Sequence, residues 1–187
     1  MSLQFGILGL LNYAPMTGYN LKKIFDKSIN HIWTASLSQI YRELGTLEKK
    51  GYVNSKIEEQ DDRPDKKIYS ITENGKQAFI GWLNNIPDEF ISPKRDEFML
   101  KLFFGARLGK DHAKNQLERF VEDRSQFIKN LQDDTSKMSQ KPEIYGNEIS
   151  TKESLYIGFV IKRAIMSSQI LIQWANECIE ELDKLKE

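Results

Sequence analysis

Gln39, Arg42, Glu43, Thr46 and Lys49 share one side of the segment SLSQIYRELGTLEKKGYV, residues 36–53, when it is wound as a helix. Arginine can grip guanine, and glutamine adenine, through two hydrogen bonds at the base edge in the DNA major groove. Hydroxyls and ammonium groups reach phosphate oxygens instead. Tyr41 and Ser38 supply such hydroxyls from the same turns, so the segment has the side chains for reading a duplex. Ser36 or Ser38 can cap the helix start by accepting a hydrogen bond from a free backbone N–H. Leu37, Ile40, Leu44 and Leu47 recur at helical spacing and commit one face to a core. Lys49 and Lys50 in the last turn, followed by Gly51, form a helix stop.

The flanking elements suit that task. Leu3–Leu11 is an almost wholly apolar helix, which implies burial on most sides, and Pro15 prevents its continuation. Thr17 can cap a second helix with Leu21, Ile24 and Phe25 inward. After residues 36–50 come a strand-like run from Tyr52 to Ile57, the polar stretch EEQDDRPDKK, and a second run from Ile68 to Ile71. Thr72 caps a further helix with Ala78, Phe79, Trp82 and Leu83 inward. Three helices, a charged hairpin and a fourth helix are the layout of a winged helix-turn-helix. Its recognition helix enters the major groove and its wing lies along the backbone.

Composition is consistent with this but does not prove it. The chain has 187 residues with 27 basic and 27 acidic side chains, so it lacks the overall basicity of an indiscriminate nucleic-acid binder. Residues 1–83 hold 11 basic and 9 acidic residues and the remainder 16 and 18, an excess of the expected sign. The single cysteine, Cys178, excludes an intrachain disulfide and suits a reducing, cytoplasmic setting; on the apolar side of a helix it reads as a small core residue. The N-terminal apolar run has no basic region before it and reads as a core helix rather than a signal peptide. No run approaches about 18 uncharged apolar residues, so no membrane span is expected. His31 and His112 are far apart and lack HExxH or CxxC spacing, so no metal is expected. GxSxG, P-loop and GxGxxG patterns are absent, so neither a cofactor nor catalysis is expected.

The second half reads as helical. Residues 84–93 hold two prolines and divide the chain into domains over 1–84 and 94–187, with a linker at 85–93. Ser92 as cap and Pro93 as first residue would open a helix carrying Phe98, Met99, Leu102, Phe103 and Ala106. A helix from Lys110 to about Met138, a loop over 139–150 and a long helix from Thr151 to Leu185 follow. On the last helix Tyr156, Val160, Leu171, Trp174 and Cys178 form one apolar face, and Ile157, Ile161, Ile165, Ile172, Ile179 and Leu182 form an adjoining one. So much apolar surface needs partners on two sides, the helix of residues 110–138 and another copy of the chain, with Tyr156, Val160, Leu171, Trp174 and Cys178 as the expected dimer interface. The fold class expected is mainly α with a small β-hairpin: an N-terminal winged helix and a C-terminal helical dimerisation domain.

ILGLLNYAPMTGYNLKKIF at 7–25, SQIYRELGTLEKKGYV at 38–53 and DKKIYSITENGKQAF at 65–79 together resemble the PadR family of bacterial transcriptional regulators. RDEFMLKLFF at 95–104 is similar to the branch that includes phenolic-acid-responsive repressors. The resemblance implies a homodimeric repressor on double-stranded DNA with a roughly palindromic operator. It places Tyr41 at the family's recognition-helix tyrosine and Thr17, Gly18 and Tyr19 at the start of the second helix, where free N–H groups can anchor a phosphate. Thr17, Tyr19, Ser36, Ser38, Gln39, Tyr41, Arg42, Lys49 and the wing residues Arg63, Lys66 and Lys67 are the expected DNA contacts. Acidic Glu58, Glu59, Asp61, Asp62 and Asp65 share that wing and oppose it, which keeps open a winged-helix module that docks proteins. The resemblance also implies a small aromatic carboxylate effector. Trp33, just before the recognition helix, and Phe90, Lys94 and Phe98, at the linker, supply the rings and the cation for it.

Overall fold

The computed structural model describes residues 2–30, 32–59, 65–85, 96–140, 143–144 and 147–185. It divides into two compact units, Met1–Phe90 with Glu143–Glu148, and Ile91–Pro142 with Ile149–Glu187.

In the first unit, α1 (Ser2–Leu11) buries Ile7, Leu8, Leu10 and Leu11, as its uniform hydrophobicity requires. The α2 helix (Gly18–Ser28) starts at Thr17, whose Oγ1 accepts from the Asn20 N–H at 3.2 Å. Leu21, Ile24 and Phe25 turn inward. The α3 helix (Leu37–Lys49) contributes Ile40, Leu44 and Leu47 to the same core. Leu37 was expected there too but is exposed; it is the first helical residue, a turn before the packed region. Gly51 takes a left-handed φ of 70°, and the chain turns into β2 (Val53–Glu58). Strand β3 (Lys66–Ile71) pairs antiparallel with β2 in the register Glu58↔Lys66 to Val53↔Ile71.

The sequence did not suggest β1 (Met16–Thr17), which joins the other edge of β3 through Met16↔Tyr69 and gives the sheet order β1-β3-β2. Two residues carry no periodicity, so only the tertiary pairing reveals them. The α4 helix (Glu73–Asn84) is capped by Thr72 as expected. Phe79 and Trp82 pack toward α1, with the Trp82 ring stacked on Phe5 at 5.0 Å, but Leu83 is exposed on the far side.

In the second unit, α5 (Glu97–Phe103) is capped by Asp96, whose Oδ1 accepts from the Met99 N–H at 3.0 Å. The cap expected at Ser92 and Pro93 lies outside the described residues. Ala106 falls in a 3-10 turn, Gly105–Leu108, rather than in α5. The α6 helix (Lys110–Gln140) and α7 (Thr151–Lys184) run antiparallel along each other. Lys114 pairs with Asp183 at 2.7 Å and Lys110 Nζ reaches the Leu185 carbonyl, so the start of α6 lies beside the end of α7. Residues 139–150, expected as a plain loop, include the antiparallel pair β4 (Glu143–Ile144) and β5 (Asn147–Glu148), which belongs to the first unit. Ser150 and Glu153 form a reciprocal capping box at the start of α7.

Ile161, Ser168 and Ala175, seven residues apart, are the buried positions of α7. The opposite side is open: Leu155, Tyr156, Phe159, Val160, Met166, Ile170 and Leu171 are all exposed. Trp174 and Cys178, expected with Tyr156, Val160 and Leu171 on one face, are instead half-buried, Trp174 lying edge-on to Phe120 of α6 at 6.0 Å. Burial pushes the Cys178 thiol up, consistent with an unreactive packing role. By length and composition α7 is apolar enough to cross a bilayer, with a window of mean hydropathy 1.4, contrary to the sequence expectation. Its small and amide residues dilute the apolar run without adding charge.

Candidate nucleic-acid interface

Residues of β1, α2, α3, β2 and β3 line an open groove of about 540 Å³ in the first unit. Thr17 and Tyr19 come from the start of α2, Tyr41 from α3, and Lys66 and Lys67 from β3. Residues scattered over fifty positions of sequence therefore line one concavity. Its floor includes the first turn of α2, where N–H groups at a helix start favour an anion. Glu58 and Asp65 also line it, so its charge is mixed rather than uniformly positive.

Tyr41 is 45% exposed, and its ring lies over the first residue of α2. A β-carbon built on Gly18 would come within 2.4 Å of Tyr41 Cε1, so the glycine makes the space in which the ring lies. Gly18→Ala is expected to displace the partly exposed ring. Thermal stability should change by less than about 1 kcal/mol because the ring can swing outward, whereas operator affinity should drop; paired thermal melts and gel shifts check this.

The α3 start resolves the choice between two candidate caps. Ser36 is the cap: its Oγ accepts from the Gln39 N–H at 3.2 Å, and its own N–H donates to Gln39 Oε1 at 2.8 Å. Ser38 Oγ lies 2.9 Å from Ser36 Oγ. Gln39 thus has one acceptor site of its carbonyl engaged in holding the helix end, so bidentate reading of adenine must share that oxygen with the cap or break it. Arg42 remains outward, 68% exposed, with Nε and Nη2 each 3.4 Å from Glu43 Oε1. Lys49 is exposed in the last turn.

The wing departs most from expectation. Lys67 donates to Glu48 Oε2 at 3.0 Å and lies over the Tyr69 ring at 5.1 Å, so it braces β3 against α3. Ser55 completes this brace by donating to the other oxygen of Glu48. Lys66 is exposed opposite Glu58, and Arg63 lies outside the described residues. The Ser55 hydroxyl and the Lys67 ammonium hold the Glu48 carboxyl below its ordinary 4.5, and Glu48 in turn raises Lys67. A carboxyl depressed in the folded state contributes stability that is complete above pH 4.5 and is lost as pH falls through the lower, folded value. Acidification below pH 4.5 is therefore expected to loosen the wing before the core, seen as loss of amide protection in β2 and β3 ahead of α1.

Of the residues assigned to an effector, Trp33 is exposed in the first unit. Phe98 belongs to the second, where its ring stacks on Phe120 at 5.0 Å. Phe90 and Lys94 lie outside the described residues. Sequence reasoning missed Glu48 and Gln4 as partners of the recognition surface. Gln4 bonds to Glu43 and Lys50 across 39 and 46 positions, and no periodicity signals contacts at that range.

Among the described residues no cluster of histidine, cysteine or carboxylate could hold a metal ion. Residues 7–80 match the transcriptional regulator PadR-like family, and residues 94–183 match the virulence activator alpha C-terminal family. The negative transcriptional regulator PadR of Bacillus subtilis is 28% identical over 185 residues, covering 97% of this chain and 98% of its own length. The crystal structure of B. subtilis PadR in complex with operator DNA superposes with a TM-score of 0.79 at 26% identity, covering 97% of this chain and 99% of that one. The same regulator in complex with p-coumaric acid gives 0.73 at 25% identity, covering 98% and 99%. A first unit that matches over residues 7–80 and a helical second unit that matches over 94–183 make this chain similar to the PadR-like transcriptional regulators over nearly its whole length.

Proposed function

We propose that the protein is a cytoplasmic homodimeric repressor that reads a roughly palindromic operator with α3 and is released by a small aromatic carboxylate. The observation that carries the reading is the convergence of Thr17, Tyr19, Tyr41 and Lys66 on one groove beside a firmly capped recognition helix. The B. subtilis relative, similar over nearly its whole length, is known in complex with operator DNA, which supports the same use of this surface. Arg42 reads a base edge, while the α2 start, Tyr41 and Lys66 hold phosphates and set the register. Residues 1–84 serve as the reader and 94–187 as the dimerisation and effector domain.

The exposed apolar side of α7 supports the dimer. An operator complex for a relative that covers 97% of this chain argues that this side meets protein rather than lipid. Two chains joined there would place two α3 helices on successive major grooves. The effector follows from the relative's complex with p-coumaric acid, for which the exposed ring of Trp33 in the first unit is a described aromatic candidate. Titration with p-coumarate is expected to quench tryptophan fluorescence and to release DNA in parallel; if neither signal moves, the effector part of the reading fails.

Gel-shift titration against the DNA upstream of the protein's own gene, at two salt concentrations, tests the central claim. A DNA reader binds tightly at low salt and loses affinity steeply as salt rises, because each neutralised phosphate releases counterions. The neutralised Lys67 and the acidic groups in the groove favour a second reading, a module that docks proteins. Failure to bind both this DNA and heparin at low salt would establish that reading instead.

A further inference from the structure

The recognition helix carries a latch on its base-reading arginine. Gln4 of α1 donates from Nε2 to Glu43 Oε2 at 2.7 Å and accepts from Lys50 Nζ at 2.9 Å. One amide orientation satisfies both bonds, so Gln4 ties the middle of α3 and the residue that caps its end to α1. The other oxygen of Glu43 faces Arg42, at 3.4 Å from both Nε and Nη2. Glu43 is only 18% exposed whereas Arg42 is 68% exposed, so the carboxylate is recessed at the side of the helix while the guanidinium stands clear of it. The hydrogen bond from Gln4 also keeps the Glu43 carboxyl below its ordinary value, so the group stays charged.

We propose that Gln4 and Glu43 are specificity-determining positioning residues, holding the Arg42 guanidinium in a loose, preset orientation that a matching base can take over and a phosphate cannot easily capture. The inference rests on the DNA-reading role given above. The physical logic is one of competition. Neighbouring residues on a helix do not ordinarily face each other, so the Arg42–Glu43 contact constrains a side chain that would otherwise sweep a wide arc. Its long distance leaves the contact weak enough to exchange for two short bonds to a guanine edge. A free arginine would instead reach any backbone phosphate nearby, adding affinity without information. The recessed negative charge also opposes phosphate approach, so it penalises non-specific binding more than matched binding.

The test uses the full-length protein and a random-core duplex library. Wild type selects a preferred sequence, and dissociation constants for that duplex and for a scrambled duplex are then measured with wild type, Glu43→Gln, Gln4→Met and Arg42→Ala. Glu43→Gln is nearly isosteric and keeps an acceptor for Gln4. It is expected to lower the preferred-to-scrambled ratio on the order of tenfold. Scrambled binding should be equal or tighter, with a steeper salt dependence. Gln4→Met should act in the same direction and more weakly. On the Arg42→Ala background Glu43→Gln should leave the ratio unchanged, because there is no guanidinium left to position. A merely structural role would weaken both duplexes alike and lower the melting temperature. That outcome, or an unchanged ratio with an unchanged melting temperature, overturns the proposal while leaving the DNA-binding role intact. If wild type selects no sequence, both the proposal and the DNA-reading role fall.

Discussion

Phe159→Asp combined with Ile170→Asp is expected to leave both units folded but separate the protein into monomers, with operator affinity falling by roughly 10²–10⁴. The two side chains belong to the stripe Leu155, Phe159, Met166 and Ile170, on the side of α7 away from its buried Ile161, Ser168 and Ala175, and they are 56% and 64% exposed. Within the chain they touch too little to matter for folding, so a charge there costs little in the monomer. In a dimer the same charges would be desolvated without partners, which is prohibitive. Each half-site contact alone is weak, and joining two recognition helices makes the second contact nearly intramolecular. Light scattering reads the assembly and gel shifts read the affinity. A double variant that remained dimeric would move the interface off this stripe, and a tight-binding monomer would remove dimerisation from the mechanism.

Gly75→Ala is expected to disable the winged helix outright, destabilising it by more than about 3 kcal/mol. A β-carbon there would lie 2.1 Å from the Tyr52 carbonyl oxygen and 2.9 Å from Ile71 Cγ1. The first of these is backbone, held by the Thr72 N–H at 3.0 Å, and Thr72 Oγ1 is itself committed to the Gly51 carbonyl at 2.7 Å and to the Gly75 N–H at 3.1 Å. No side chain can swing aside, so the junction of β2, β3 and α4 must open. Because the lesion lies in the first unit and α7 in the second, the variant should stay dimeric while losing DNA binding and the cooperative unfolding of the first unit. Gly81→Ala, in the same helix with open space around it, serves as the control. It should raise stability by about 0.4–1 kcal/mol through a less flexible unfolded chain. Equal melting temperatures for the two variants would refute the close-approach argument.

The contrast between these glycines shows what one-dimensional information holds. Both lie in the α4 segment and read alike in the sequence; only the approach of the Tyr52 carbonyl separates them. What the sequence by itself determined are the properties set by local chemistry. The hydroxyls of Thr17, Ser36, Thr72 and Ser150 end up as helix caps because a short side chain can satisfy a free N–H within three residues. The sequence points to Thr17 and Thr72, leaves Ser36 and Ser38 as alternatives, and places Ser150 in the expected loop. Ile40, Leu44 and Leu47 form the inner face of α3 because helical spacing aligns them. The charged hairpin after Gly51 marks the wing, since a left-handed turn and alternating strands leave few other layouts.

Tertiary structure decided which polar groups are already spoken for. Gln39 and Lys67 read as equal candidates for DNA, yet Gln39 closes a cap and Lys67 is held by Glu48. The placement of Trp174 against Phe120, and with it which apolar side of α7 stays open, depended on how α6 lies along that helix. The pairing of β1 with β3 and the bonds of Gln4 to Glu43 and Lys50 likewise join residues dozens of positions apart. Spacing along a chain predicts which face a residue shares with its near neighbours. It carries no information about which distant donor will reach that face first, because that is settled only when the core closes and brings the elements within hydrogen-bonding distance.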